Sequence, residues 1–307
     1  MADKASRGVI LYGDGLARRV EPSHTNLHSF ASLASCGLAS LPNSPSQEDE
    51  GARRVREFAE LLDATHVSMG TAEANLQGNN AIPTLSERFM GMKAAIIAND
   101  SCLQSCGSKL GLNALEFNDL VDSRQASADT LVLASALLRL LGFEEGKISD
   151  VPQFDLVFIY IGAGSMINGV KDMDFINNLV GALTHTAQPG TEIGSRLHMS
   201  VIMSYGAVSS DDKDNFPIST SNHEYKPDLA QLVPRQSYTL KEGKERSNLR
   251  HYCPMLIAQW QNAVTRTDMV ESYFFEDFKH AGNLVIPADR VVHEIAFKLW
   301  KAPKYGA

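Results

Sequence analysis

Apolar residues along the chain fall into two patterns that alternate: short continuous runs, and longer stretches spaced three and four apart. The runs read as buried strands, centred on Val9–Tyr12, Ala94–Ala98, Leu156–Ile161, Val201–Met203 and Met255–Ile257, with "CGLASLP" as a further short one. "FDLVFIYIG" is apolar nearly throughout, as expected of a strand covered on both faces of a parallel sheet. Between the runs lie helical stretches. "TNLHSFASLASCG" carries Leu27, Phe30, Leu33 and Ala34 on one face, with Gly37 placed to end it. "NSPSQEDEGARRVREFAELLDA" has an acidic first turn, which suits the helix dipole, and sets Val55, Phe58, Leu61 and Leu62 on one side. Further helices are predicted in "TLSERFMG", "SCLQSCGSKLGL", "ASADTLVLASALLRLLG", "MDFINNLVGALTHTA" and "ADRVVHEIAFKLWKA", and "YCPMLIAQW" reads as the last strand. Residues 72–83 and 209–248 read as loops, the second long and irregular.

Strands alternating with helices predict an α/β fold with a doubly wound, mostly parallel central sheet and helices on both faces. No linker interrupts the alternation, so residues 1–307 are read as one domain. Composition changes this little. The chain is 44% hydrophobic and carries a formal net charge of −8 without a basic run, which argues against nucleic acid. No apolar window is long enough to span a bilayer, and "MADKASRG" lacks a signal-peptide core, so a cytoplasmic protein without a membrane partner is expected. Cys36, Cys102, Cys106 and Cys253 are too few and scattered for a disulfide scaffold and are read as reduced thiols.

Chemistry is sparse. The glycines of "IGAGSMING" follow a strand, but their spacing is not that of a dinucleotide loop, and no cofactor is expected from them. Ser44 and Ser46 lie between a strand end and a helix start, where a serine either caps the helix or stands at a phosphate-binding position. In "ILYGDG", Asp14 follows the first strand, where it serves either a turn or a metal or phosphate site.

"ILYGDG" followed by "HTNLHSFASLASCGLASLP" resembles the start of archaeal-type cofactor-independent phosphoglycerate mutases, in the alkaline phosphatase superfamily. The resemblance continues through "PTLSERFMGMKAAIIANDSCLQSCGSKLGLN", "FDLVFIYIG" and "MSVIMSYGAV", in the family's order. It implies an alkaline-phosphatase-like fold without the mutases' large inserted domain. It also implies two divalent metals (Mn, Zn or Mg) at the strand ends, activating a Ser or Thr nucleophile. Asp14 matches the first metal-ligand Asp, Ser44 or Ser46 stands near the nucleophile position, and His251 corresponds to the last His ligand. The other ligands are missing. "GAGSMINGVKD" and "SYGAV" stand where the family places Asp and His. One carboxylate, one imidazole and a serine do not hold two ions. The expectation is therefore a degenerate, non-catalytic relative acting as a binding or scaffold protein, without a cofactor, for a phosphorylated small molecule or a protein. The alternative is a metal-dependent phosphomutase or phosphatase with a rearranged site, its ligands drawn from Asp172, Asp174, Asp211, Asp212 and Asp214.

Overall fold

The computed structural model describes residues 6–45, 47–65, 83–120, 130–144, 146–149, 151–167, 170–218, 240–241, 244–246, 248–283 and 285–302. Eight strands form one sheet: β1 (Arg7–Asp14), β2 (Ser35–Ser40), β3 (Ala94–Ile97), β4 (Asn113–Leu115), β5 (Leu156–Gly162), β6 (Leu197–Met203), β7 (Met255–Trp260) and β8 (Val285–Pro287). Their spatial order is β8-β2-β7-β6-β1-β5-β3-β4. β7 alone runs against the others, pairing antiparallel with β6 and β2, while the remaining neighbours are parallel. The five apolar runs all lie in this sheet, as their pattern predicts.

Two hydrophobic clusters, one per face, account for that pattern. Alternate residues of β1 divide between them: Val9 and Leu11 pack into one cluster, Ile10 and Tyr12 into the other. The first face is covered by α1 (Thr25–Leu33), α6 (Thr130–Leu140) and α7 (Asp172–Thr186), with α9 (Phe275–Ala281) behind β2. The second is covered by α2 (Glu50–Leu61), α3 (Leu85–Arg88), α4 (Ser101–Lys109) and α10 (Val291–Lys298). The short helices α5 (Phe117–Leu120) and α8 (Glu192–Arg196) complete the set. The doubly wound, mostly parallel sheet is the fold class the sequence implies.

Three local expectations are corrected. Gly37 does not end α1; the helix stops at Leu33, because pairing with β7 claims the chain from Ser35 and puts Gly37 opposite Ile257. β7 is not the last strand, since Val285–Pro287 adds in parallel to β2 at the sheet edge. Three residues, one of them proline, carry no readable alternation. The loop expected at 72–83 lies outside the described residues apart from Pro83, as does much of 209–248; within the latter, Ser210–Asp214 forms a 3-10 turn and Leu240–Lys241 pairs with Lys244–Glu245.

Neither Ser44 nor Ser46 is the cap of α2. Asp49 is, its side chain accepting from the Ala52 N–H at 2.8 Å. An N-cap carboxylate satisfies one of the helix's unpaired donors, so Asp49→Ala is expected to cost about 1 kcal/mol in urea denaturation. A variant as stable as the parent would show that the acidic stretch, not this residue, starts the helix.

Candidate functional site

Asp14 ends β1, and the chain after β5 and β6 gathers around it at the same edge of the sheet. The Asp14 carbonyl accepts from the Ala163 N–H at 2.8 Å, and Gly15, at φ +72°, donates its N–H to Ser204 Oγ at 3.0 Å. A Cβ on Gly15 would lie 3.1 Å from that of Ala163, and one on Gly206 would lie 3.1 Å from the Gly15 Cα. The close approach, and the positive φ of both residues, favour glycine at each position. Residues 168–169, in the first of these loops, lie outside the described residues.

The carboxylate is not offered to solvent. It is 2% exposed, and both oxygens are engaged. Arg53, from the first turns of α2, grips it with two parallel bonds, Nη1 to Oδ1 at 2.8 Å and Nη2 to Oδ2 at 2.6 Å. Ser204 Oγ donates to Oδ1 and Tyr160 OH to Oδ2, each at 2.8 Å. The same guanidinium donates to Glu57 Oε2 at 3.0 Å and to both oxygens of Glu50, at 2.9 and 2.5 Å. Burial alone would raise the Asp14 carboxyl, but the bonds and charge of Arg53, then the bonds from Ser204 and Tyr160, hold it below the ordinary carboxylate value. Asp14 is an anion and Arg53 its counter-ion.

Beneath them Glu57 is fully buried on α2, its Oε1 lying 3.7 Å from Arg250 Nη1 and 3.9 Å from Arg56 Nη2. Burial raises the Glu57 carboxyl, against the opposing charges of Arg250 and Arg53. Above them opens a cleft of about 490 Å³, walled in part by Arg54, Asn99, Asp100, Ser165 and Tyr205. Arg54 is tied there to Asp100 at 2.7 Å.

The other residues singled out in the sequence do not join Asp14. Ser44 is half-buried, and its Oγ accepts from Arg56 Nη2 at 3.1 Å. Ser46 lies outside the described residues. His251 is exposed, its ring edge-on to Tyr252 with centroids 5.7 Å apart. Asp172 is taken by Arg19 at 3.0 Å and by the Gly164 N–H at 2.6 Å, and Asp174 is largely exposed. Asp212 caps its own 3-10 turn and pairs with Arg18 at 2.9 Å. Among the described residues no three His, Cys, Asp or Glu side chains are placed to share a metal ion. Asp14 itself does not fit one, because the place against its oxygens is filled by a guanidinium, which would repel a divalent ion.

Arg53, Tyr160, Ser204 and Glu57 carry this arrangement, and the sequence reading passes over all four. Their signals are faint: an arginine three residues after Glu50 and four before Glu57, a lone hydroxyl near the end of an apolar strand, and a serine just past another. In register, Tyr12 and Tyr160 are neighbours on adjacent strands.

Strand order and the gathered strand ends together define a doubly wound α/β protein with a mostly parallel sheet. No protein-family model matches the chain, and no curated protein matches it by sequence. Among solved structures it is similar over its whole length to the PH0037 protein of Pyrococcus horikoshii, with 11% identity, 100% of both chains covered and a TM-score of 0.56. A weaker likeness links it to the cofactor-independent phosphoglycerate mutase of Thermoplasma acidophilum, at 10% identity over 95% of this chain and 99% of that one, TM-score 0.46. An alkaline phosphatase variant from the Antarctic bacterium TAB5 gives 11% identity over 99% and 100%, TM-score 0.46. At such identities the likeness concerns the fold alone. No described helix is long and apolar enough to cross a membrane.

Proposed function

We propose that this chain is a non-catalytic relative on an alkaline-phosphatase-like fold, a binding protein in which an internal arginine holds the place of a metal centre. The observation that carries this reading is the pair of hydrogen bonds that Arg53 donates to an Asp14 already bonded by Tyr160 and Ser204. Phosphoryl transfer by metal needs a carboxylate free to bind the ion and an ion free to polarise the phosphoryl oxygens. Here the carboxylate is spent on a guanidinium. The cleft above remains available, and its walls suit a small phosphorylated molecule: Arg54 as the cation, Asn99 and Ser165 as hydrogen-bonding groups, Tyr205 as an aromatic side. Such a ligand would take Arg54 from Asp100. A cytoplasmic setting belongs to the same reading and agrees with four free cysteine thiols.

Thermal unfolding with Mn²⁺, Zn²⁺ or Mg²⁺, beside an assay of phosphoglycerate mutase and phosphomonoesterase activity, tests this. The expected result is no metal-dependent turnover and no appreciable rise in Tm. An ion bound only by the native state at a hundredfold excess over its Kd would add about 2.7 kcal/mol, which a thermal scan shows plainly. A rise of that size, or metal-dependent turnover, would replace this reading with the rearranged enzyme. Calorimetry with 3-phosphoglycerate, without metal, is expected to give binding that Arg54→Ala weakens.

A further inference from the structure

A second cavity, of about 520 Å³, opens at the opposite edge of the sheet. β7 runs antiparallel, so its final residue Trp260 sits across from Met199 near the start of β6, whereas Leu256 faces Met203 close to the Asp14 edge. Trp260 and Phe30 form the aromatic part of the lining, both nearly buried, and Leu33 on the rim is 45% exposed. The walls come from α1, the C-terminal end of α7 and the loop after β7.

The chemistry of this lining differs from that of the first cleft. In a chain that is 21% charged, it contains no Asp, Glu, Lys or Arg among the described residues. Its polar groups are amides and hydroxyls, among them Asn26, Ser29, Thr184, Gln188, Asn262 and Thr265, with His185 as the one titratable side chain. The Thr184 and Thr265 hydroxyls already donate to the Val180 and Gln261 carbonyls, so the groups that offer a donor and an acceptor to a ligand hydroxyl are Ser29 and the amides of Asn26, Gln188 and Asn262. A ligand carrying formal charge would lose its hydration here without meeting an opposite charge. The apolar surface open to ligand C–H groups is chiefly that of Leu33, with an edge of Trp260. At the rim Ala263 is held at φ +57°, in the left-handed region costly for a residue with a Cβ, by Val264 and Thr265 N–H groups that both donate to the Gln261 carbonyl at 3.2 Å. The fold thus fixes the shape of this wall.

We propose that this cavity is a binding site for a neutral polyhydroxylated ligand, a saccharide of one or two rings, separate from the Asp14 cleft. The chain has two tryptophans, Trp260 and the half-exposed Trp300, so Trp300→Phe leaves the cavity's own ring as sole reporter. Titration of that variant with glucose, maltose and cellobiose, each repeated by calorimetry on the unaltered protein, is expected to change the fluorescence and release or absorb heat. At least one sugar is expected to bind with Kd of about 1 mM or tighter. Asn262→Ala and Gln188→Ala, on the accessible wall, are expected to weaken it tenfold or more at unchanged Tm, while Arg54→Ala in the other cleft leaves it unaltered. Glucose 6-phosphate is expected to bind at least tenfold more weakly at this site. Three results would overturn the proposal: none of the three sugars binding, sugar binding untouched by both wall variants, or the phosphorylated sugar quenching Trp260 as well as the neutral one. Each leaves the reading of the Asp14 site standing, because that reading is judged by metals and turnover.

Discussion

Arg53→Ala is expected to lower the stability of the protein by about 3–5 kcal/mol, the cost of leaving a buried charge without its partner. Asp14 is 2% exposed and Glu57 not exposed at all, and water entering from the cleft would not supply the positive charge of the guanidinium. Tyr160 and Ser204 would still donate to Asp14, but neither brings charge. The loss should read as a lower urea midpoint with a similar slope. Low millimolar guanidinium, far below denaturing concentrations, should restore part of the Tm of this variant and leave the parent unchanged, since the vacated space matches that ion. Arg53→Lys keeps the charge without the fork and should fall between the two. The double change Asp14→Asn with Arg53→Met should be less damaging than Arg53→Ala alone, because it removes both charges of the Asp14 pair and leaves Glu57 with Arg250 and Arg56. If Arg53→Ala costs under about 1 kcal/mol, the guanidinium is not the counter-ion of Asp14, and the proposed function loses its main support.

Stability is also expected to fall as the pH rises through neutrality, and Glu60 is the residue expected to cause it. Glu60 is 3% exposed on α2, beside the ionic cluster of Asp63, Asp289, Lys241 and Arg246, and its Oε2 has no hydrogen-bond partner. Burial first, then the charge of Asp289, pushes its carboxyl from the ordinary 4.5 to about 7. The folded state therefore keeps a proton that the unfolded chain gives up. That advantage is complete below the unfolded value and shrinks as the pH climbs toward about 7. The span corresponds to about 3 kcal/mol as an order of magnitude. Glu60→Gln imitates the protonated form at every pH. It should be close to the parent in stability at about pH 5 and more stable by up to about 3 kcal/mol at about pH 8, by urea denaturation at each pH. His293 is bonded to Asp63 at 2.9 Å within the same cluster, so His293→Gln serves as the control. Equal stability of Glu60→Gln and the parent across the range would show that the Glu60 carboxylate is solvated in the folded protein.

Both predictions concern α2, where the sequence misleads most. "EGARRVREFAEL" has Phe58 and Leu61 at helical spacing, and that face is buried as read. The charged remainder carries no sign of burial in the pattern, yet Arg53, Arg56, Glu57 and Glu60 are all buried too. Helical periodicity shows which side chains share a face. It cannot show that the opposite face meets the end of β1 and the chain around Arg250, because those partners lie far away in sequence.

The sequence by itself determined most of the elements and the doubly wound plan, though not the edge strands Asn113–Leu115 and Val285–Pro287. Continuous apolar runs are stable only when covered on both faces, and alternating helices provide that cover, so the doubly wound plan follows from local pattern and chain order. It also placed Asp14 at a strand end, because a strand that stops at Gly-Asp-Gly exposes whatever follows. The tertiary structure alone decided what Asp14 does. Its partners Arg53, Tyr160 and Ser204 come from three other elements and meet at one edge only when β5, β1 and β6 lie side by side. Whether a carboxylate binds a metal or an arginine is settled by which charge reaches it first in a dry site, and that is a property of distance in space, not of spacing along the chain.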